Sequence, residues 1–180
     1  NDPSICYASH LVFNRGGDTA SMKITSVQAF PLGYPEPHYK GVIRYLTLAR
    51  VETDNRLVGW GECISQFREA SLATKVIIEE GYAPLLVGEN PLDVERLWGN
   101  MRDHIWWYGP EGISAFGLSA VDMALWDLKG KALGLPVSRI LGGQLIDEVV
   151  AMASIILDMD DFDWTVGEFD WMREQGYRVV

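Results

Sequence analysis

The chain has 180 residues, a formal net charge of −10 and 48% hydrophobic residues, with seven tryptophans, enough apolar material for a buried core in one domain or one and a half. The acidic balance argues against nucleic acid as a partner, because no basic surface is available to displace counterions from phosphates, and no stretch approaches the ~18–20 unbroken apolar residues of a membrane span. Two cysteines, Cys6 and Cys63, are too few for a disulfide framework and fit a reducing cytoplasm.

Residues 1–21 carry neither helical nor strand periodicity and no apolar run long enough for a secretory signal, so they read as a poorly ordered leader or extension. Met22 then opens MKITSVQAFPL, which looks like a natural start running directly into a strand. Three strands are expected. The first covers Lys23 to Pro31. The second, Val42 to Glu52, has Tyr45, Thr47, Ala49 and Val51 on one face. The third, Leu57 to Glu62, follows the turn pair Asp54-Asn55. Gly59 and Gly61 flank Trp60 and imply a close backbone approach on one side of the third strand. Three antiparallel strands of this size need helices against them.

The helices come next. Glu69 to Glu80 carries Leu72, Val76 and Ile77 and is expected to stop at Gly81. Asn90-Pro91 reads as a cap followed by proline in the first helical position, ahead of Val94, Leu97, Trp98 and Met101 at helical spacing. His104 to Pro110 is an aromatic-rich connection, in which His104 reads as a packing residue. In the following segment Leu118, Val121, Leu125, Leu128 and Ala132 recur at steps of three and four, and Gly117, Ala120 and Ala124 make a small-residue stripe. Asp127 and Lys131 form an i,i+4 pair, and Gly134 with Pro136 ends the helix. Strands first and helices afterwards is the order of an α+β domain. Beyond a boundary near Ile146 the style changes. Val149 to Ile156 reads as a buried strand and Asp158 to Asp161 as an acidic loop that caps a helix from Trp164 to Gln175. That helix has Phe169 and Met172 inward, and a last strand begins near Tyr177. Strand, helix and strand in that order make one βαβ unit.

Four segments together carry a family likeness: the Met22-Lys23-Ile24 start, Gly59-Trp60-Gly61-Glu62, Glu89-Asn90-Pro91, and the helix from Ser114 that closes on Leu141-Gly142-Gly143. In this order and spacing the chain resembles the mandelate racemase and muconate lactonising branch of the enolase superfamily, over about residues 22 to 180. The resemblance implies an enolase-type N-terminal capping domain over residues 22–146, a three-stranded antiparallel meander with a helical bundle. It implies that residues 147–180 start a (β/α)₈ barrel and that the chain is a fragment cut within it. It also implies a Mg²⁺-dependent parent enzyme that abstracts the proton α to a carboxylate, with a lysine or histidine base and the enediolate held on the metal. The implied lysine base and the three metal carboxylates belong to later barrel strands, so no catalytic or metal-ligating residue, and no bound cofactor, is expected within this chain. By itself it is expected to be inactive.

Two loops of such a cap are implied to select the substrate. The first lies between Leu32 and Gly41 and offers Tyr34, Glu36, His38, Tyr39 and Lys40; the second follows Glu62 and offers Cys63, Ser65 and Gln66. Ser154, near the end of the first barrel strand, joins them because barrel active sites collect at that face. Polar, aromatic and cationic groups of this kind suit a hydroxylated carboxylate such as an acid sugar. Each also has a plainer reading as loop surface, and Cys63 as a buried thiol. An acid-sugar dehydratase or mandelate racemase-like parent is therefore the leading reading, weighed against a cycloisomerase or dipeptide epimerase, and against a non-catalytic α+β module that binds a ligand or partner. A homo-oligomer is the default that the resemblance implies.

Overall fold

The computed structural model describes residues 22–154 and 158–177. The expectations for residues 1–21, and for the strand beginning near Tyr177 from residue 178 onward, lie outside the described residues. Three strands, β1 (Ile24–Pro35), β2 (Ile43–Thr53) and β3 (Val58–Gln66), form an antiparallel sheet in the order β1-β2-β3. The strand alternation of β2 is as expected, with Thr47, Ala49 and Val51 buried and their neighbours partly open. Both outer strands run further than the sequence indicates. Pro31 and Pro35 look like breakers, but β1 is an edge strand, where proline is tolerated because the missing N–H has no ladder partner to lose.

The helices α1 (Arg68–Val76), α2 (Ala83–Leu86), α3 (Val94–His104) and α4 (Ile113–Leu133) follow, then a short α5 (Val137–Ile140) and α6 (Phe162–Glu174). The axis of the domain is α4 on β3. Its small-residue stripe meets the two glycines of the strand so closely that a Cβ on Gly59 would lie 2.1 Å from the Ala124 carbonyl oxygen. One on Gly61 would lie 1.9 Å from the Ala120 carbonyl oxygen. Leu118, Val121, Leu125 and Leu128 are buried as expected and close a core with Ile78, Tyr82, Leu86, Leu97 and Met101. The buried Tyr82 hydroxyl donates to the Ser114 carbonyl at 2.9 Å. Gly134 ends α4 with φ 66°, the left-handed stop that the sequence indicates.

Helical i,i+4 pairs cover both edges of the sheet. On β3 the Trp60 N–H donates to Asp127 Oδ2 at 2.9 Å and Lys131 Nζ donates to the Val58 carbonyl at 2.8 Å, while the two side chains pair at 2.6 Å. On β1 the Ala29 N–H donates to Glu79 Oε1 at 2.9 Å and Lys75 Nζ donates to the Ala29 carbonyl at 3.1 Å, and Lys75 is itself paired with Glu79. Asp127 and Lys131 are thus more than a surface pair.

Several expectations are corrected. Leu72 and Val76 are exposed, and Ser71, Thr74 and Ile78 face inward instead. Ser71 and Thr74 are accommodated because their hydroxyls are paired: Ser71 Oγ donates to the Leu46 carbonyl at 2.9 Å and Thr74 Oγ1 to the Ala70 carbonyl at 2.8 Å. Gly81 does not stop the helix; a π-helical turn, Ile77–Tyr82, carries the chain into α2. Asn90-Pro91 is a turn and not a helix start. Asn90 Oδ1 accepts from the Leu92 N–H at 3.0 Å, and α3 begins only after Asp93. His104 is exposed, as are Trp106, Trp107 and Tyr108. In α6 Met172 is buried but Phe169 is open, because Thr165 and Met172 form the inward stripe. Residues 149–154, the described part of the expected barrel strand, carry no ladder, for no strand lies beside them among the described residues. No helix among the described residues is long and apolar enough to cross a membrane.

The α4–β3 contact yields a direct test. Gly59→Ala and Gly61→Ala place a methyl group inside a backbone oxygen and should each cost ~3 kcal/mol or more in urea unfolding. Gly99→Ala, in the middle of α3 with nothing within 4 Å of the added carbon, should instead stabilise by ~0.5–1 kcal/mol.

Candidate functional site

The β1–β2 connection, residues 36–42, is a compact tip held by its own backbone. The Glu36 N–H donates to the Val42 carbonyl at 2.9 Å, the Gly41 N–H to the Glu36 carbonyl at 3.1 Å and the Val42 N–H to the Tyr39 carbonyl at 2.9 Å. Lys40 and Gly41 turn it with φ of 50° and 70°. The tip leans on α6. The His38 ring stacks on Trp171 with centroids 4.0 Å apart, and its Nδ1 lies 3.0 Å from Glu168 Oε2. Tyr39 tilts against Trp164 at 6.2 Å. Lys40 Nζ donates to Asp158 Oδ2 at 2.6 Å and to Asp161 Oδ2 at 2.8 Å, and sits 5.0 Å from the centre of the Trp164 ring.

The acidic turn is correspondingly ordered. Asp161 Oδ1 accepts from the Trp164 N–H at 3.1 Å and so caps α6, the role the sequence indicates for this loop. Thr165 Oγ1 donates to the Asp158 carbonyl at 3.0 Å, and Asp158 Oδ1 accepts from the Asp160 N–H at 3.0 Å. Hydrogen bonds to Asp158 and Asp161 raise the Lys40 ammonium above its ordinary range, and the same bonds from Lys40 hold both carboxyls below theirs. The carboxyl contribution is therefore complete above the ordinary carboxylate range and is lost only as pH falls through the lowered values.

Between the tip, the segment Met152–Ser154 and α6 lies a cleft of about 290 Å³, close to the lower bound of ~300 Å³ for small-molecule sites. Glu36, His38, Tyr39 and Ser154 line it, so four of the residues marked by sequence come together across more than a hundred positions of chain. Lys40 and Tyr34 do not line it, though the Tyr34 hydroxyl lies 3.4 Å from Oε2 of the lining residue Glu36. The sequence reading missed Arg44, whose Nε is 3.3 Å from Glu36 Oε2, together with Met152, Trp171 and Tyr177. For Trp171 a signal was present: Trp164, Glu168 and Trp171 stand at i, i+4 and i+7, on one helical face.

The second marked loop is placed elsewhere. Because β3 runs on to Gln66, Cys63 and Ser65 belong to the strand and point into the domain. Ser65 Oγ lies 3.4 Å from Thr47 Oγ1, which is 2.8 Å from Ser71 Oγ. Gln66 ends the strand exposed, with φ 58°. Burial pushes the Cys63 thiol up to about 11. The Cys63 peptide should accordingly stay unlabelled by iodoacetamide at pH 8 in the native protein and label fully once denatured, as read by mass spectrometry.

The Mg²⁺ that the family likeness implies finds no fitting donors here. No three His, Cys, Asp or Glu side chains among the described residues converge on one point, and Asp158 and Asp161 converge on Lys40 instead.

With this geometry in view, the sequence profile of the mandelate racemase / muconate lactonizing enzyme N-terminal domain matches residues 42–142, more than half of the chain. The chain belongs to this family. A D-galactarolactone cycloisomerase of Agrobacterium fabrum is 32% identical over 148 residues, 79% of this chain and 38% of the relative. A D-galactonate dehydratase family member of Streptomyces bingchenggensis is 34% identical over 142 residues, 76% of this chain and 32% of the relative. The crystal structure of a mandelate racemase/muconate lactonizing protein from Paracoccus denitrificans complexed with magnesium has a TM-score of 0.60 at 34% identity, covering 70% of this chain and 32% of that one. The chain thus spans about a third of the length of these relatives.

Proposed function

We propose that the chain is the substrate-selecting N-terminal part of a Mg²⁺-dependent enzyme of the enolase superfamily that removes the proton α to the carboxylate of an acid sugar, most simply as a dehydratase. The observation that carries this reading is the cleft itself: a tip from the cap and Ser154 from the following segment face one cavity, with an imidazole, a guanidinium, a phenol and a hydroxyl around it. Such a set can hold the hydroxyls and the distal end of a polyhydroxylated acid by hydrogen bonds. With His38 Nδ1 engaged by Glu168, Nε2 is the ring nitrogen left for a ligand.

In this reading residues 22–146 are the cap and residues 147–180 enter the barrel. The exposed apolar side chains Val149, Val150 and Met152 support that division, since further barrel strands would cover them. The proton-transfer base and the metal carboxylates belong to later strands, and none of the groups described here takes part in proton transfer. A cycloisomerase parent acting on a sugar-derived lactone is the second reading, favoured by the relative of that name. Assembly into a homo-oligomer and a cytoplasmic site are proposed with it.

Two outcomes are expected. The purified 180-residue chain should catalyse no Mg²⁺-dependent exchange of an α-proton into D₂O for any acid sugar, read by NMR. In the protein extended through the whole barrel, His38→Ala should lower kcat/KM for the preferred acid sugar by ~10-fold, the loss of one polar contact of ~1.5 kcal/mol, with Mg²⁺ affinity unchanged. Activity untouched across a panel of acid sugars and lactones would remove the cleft from substrate selection.

A further inference from the structure

Lys40 is marked by sequence as a group that could meet a substrate, yet the structure commits it otherwise. Its ammonium is held by two carboxylates from one turn, Asp158 at 2.6 Å and Asp161 at 2.8 Å, with Trp164 beneath it. Its backbone is in the left-handed region, φ 50°, which glycine enters freely and a lysine does not. The backbone alone therefore gives no reason for a lysine at this position; the side chain does. Next to it, His38 meets Glu168 and Trp171 of the helix that the same acidic turn caps. We infer that Lys40 is a positioning residue whose two ion pairs latch the β1–β2 tip onto the turn before α6 and so hold His38 in place at the cleft.

The latch joins two carboxylates that are already fixed by other bonds. Asp161 is the cap of α6, and Asp158 accepts from Asp160 while its backbone is tied to Thr165. Lys40 is the tip's contribution to this contact, and its docking brings His38, two residues away, beside Glu168 and Trp171. Both ends are open to solvent, which makes the contact one that salt can weaken: at 1 M ionic strength the screening length is ~3 Å, about the length of the ion pairs themselves. Its consequence for turnover rests on the reading of the cleft given above, while the latch itself does not.

The test uses the chain as it stands, with amide hydrogen exchange over residues 36–42 and the proton resonances of the His38 ring, which the Trp171 face displaces. Lys40→Gly removes the cation and relieves the backbone; Lys40→Arg keeps the charge. Lys40→Gly should raise exchange in the tip by ~10-fold and move the His38 resonances toward those of an unstacked ring, with α4 amides unchanged. Lys40→Arg should retain most of the native protection and shifts, and 1 M NaCl should loosen the native tip in the direction of Lys40→Gly. If Lys40→Gly leaves the tip as protected as before, or if Lys40→Arg loses as much as Lys40→Gly, the latch is wrong and the residue serves the turn. A latch that passes these measurements, followed by a full-length Lys40→Gly enzyme with native kcat/KM, would leave the latch standing and overturn the role of the cleft.

Discussion

The domain depends on a contact in which two backbones nearly touch. Gly59 and Gly61 present bare strand to the Ala120 and Ala124 turns of α4, and no side chain larger than hydrogen fits between them. That approach sets the distance of the helix from the sheet, and with it the depth of the core behind. Tyr82, Leu125 and Leu128 can be fully buried because α4 sits this low, and the π-helical turn lets α1 and α2 reach the same layer. The close packing of helix on sheet follows from one pair of small residues on each side.

The same approach closes the sheet. An edge strand leaves a row of unpaired backbone groups that invite pairing with another chain. Here the helices that lie across the sheet carry an acid and a lysine one turn apart, and each pair answers one N–H and one C=O of the adjoining edge. Asp127 and Lys131 serve β3; Glu79 and Lys75 serve β1. Acid and lysine in each case supply an acceptor and a donor at a spacing that matches the strand. The arrangement works only because α4 and α1 lie close enough to the edges for short contacts.

The rigid sheet then carries a tip that reaches away from the core. Pro35 to Ile43 lifts residues 36–42 toward α6, where charge and aromatic faces, and not apolar burial, make the contact. An interface of this kind holds a defined geometry while remaining weak, which distinguishes it from the dry α4–β3 seam.

Much of this was legible in the chain. The alternation of β2, the apolar stripe of α4, its glycine stop and the glycines around Trp60 each follow from local chemistry, since periodicity and φ preference are properties of a few consecutive residues. The family likeness rests on the same segments. Local rules failed where a partner decided the outcome. Ser71 and Thr74 could face inward because backbone carbonyls lay in reach, and Leu72 and Val76 were turned outward as a result. Cys63 and Ser65 left the loop because pairing with β2 prolonged β3. Lys40 changed from a candidate ligand contact to a partner of two aspartates 118 and 121 positions away. Sequence by itself determined the three strands, the long apolar helix with its glycine stop, and which residues are small, charged or aromatic; only the tertiary structure decided which of the other expected elements form and what those faces meet, because burial and ion pairing are properties of distance in space and not of separation along the chain.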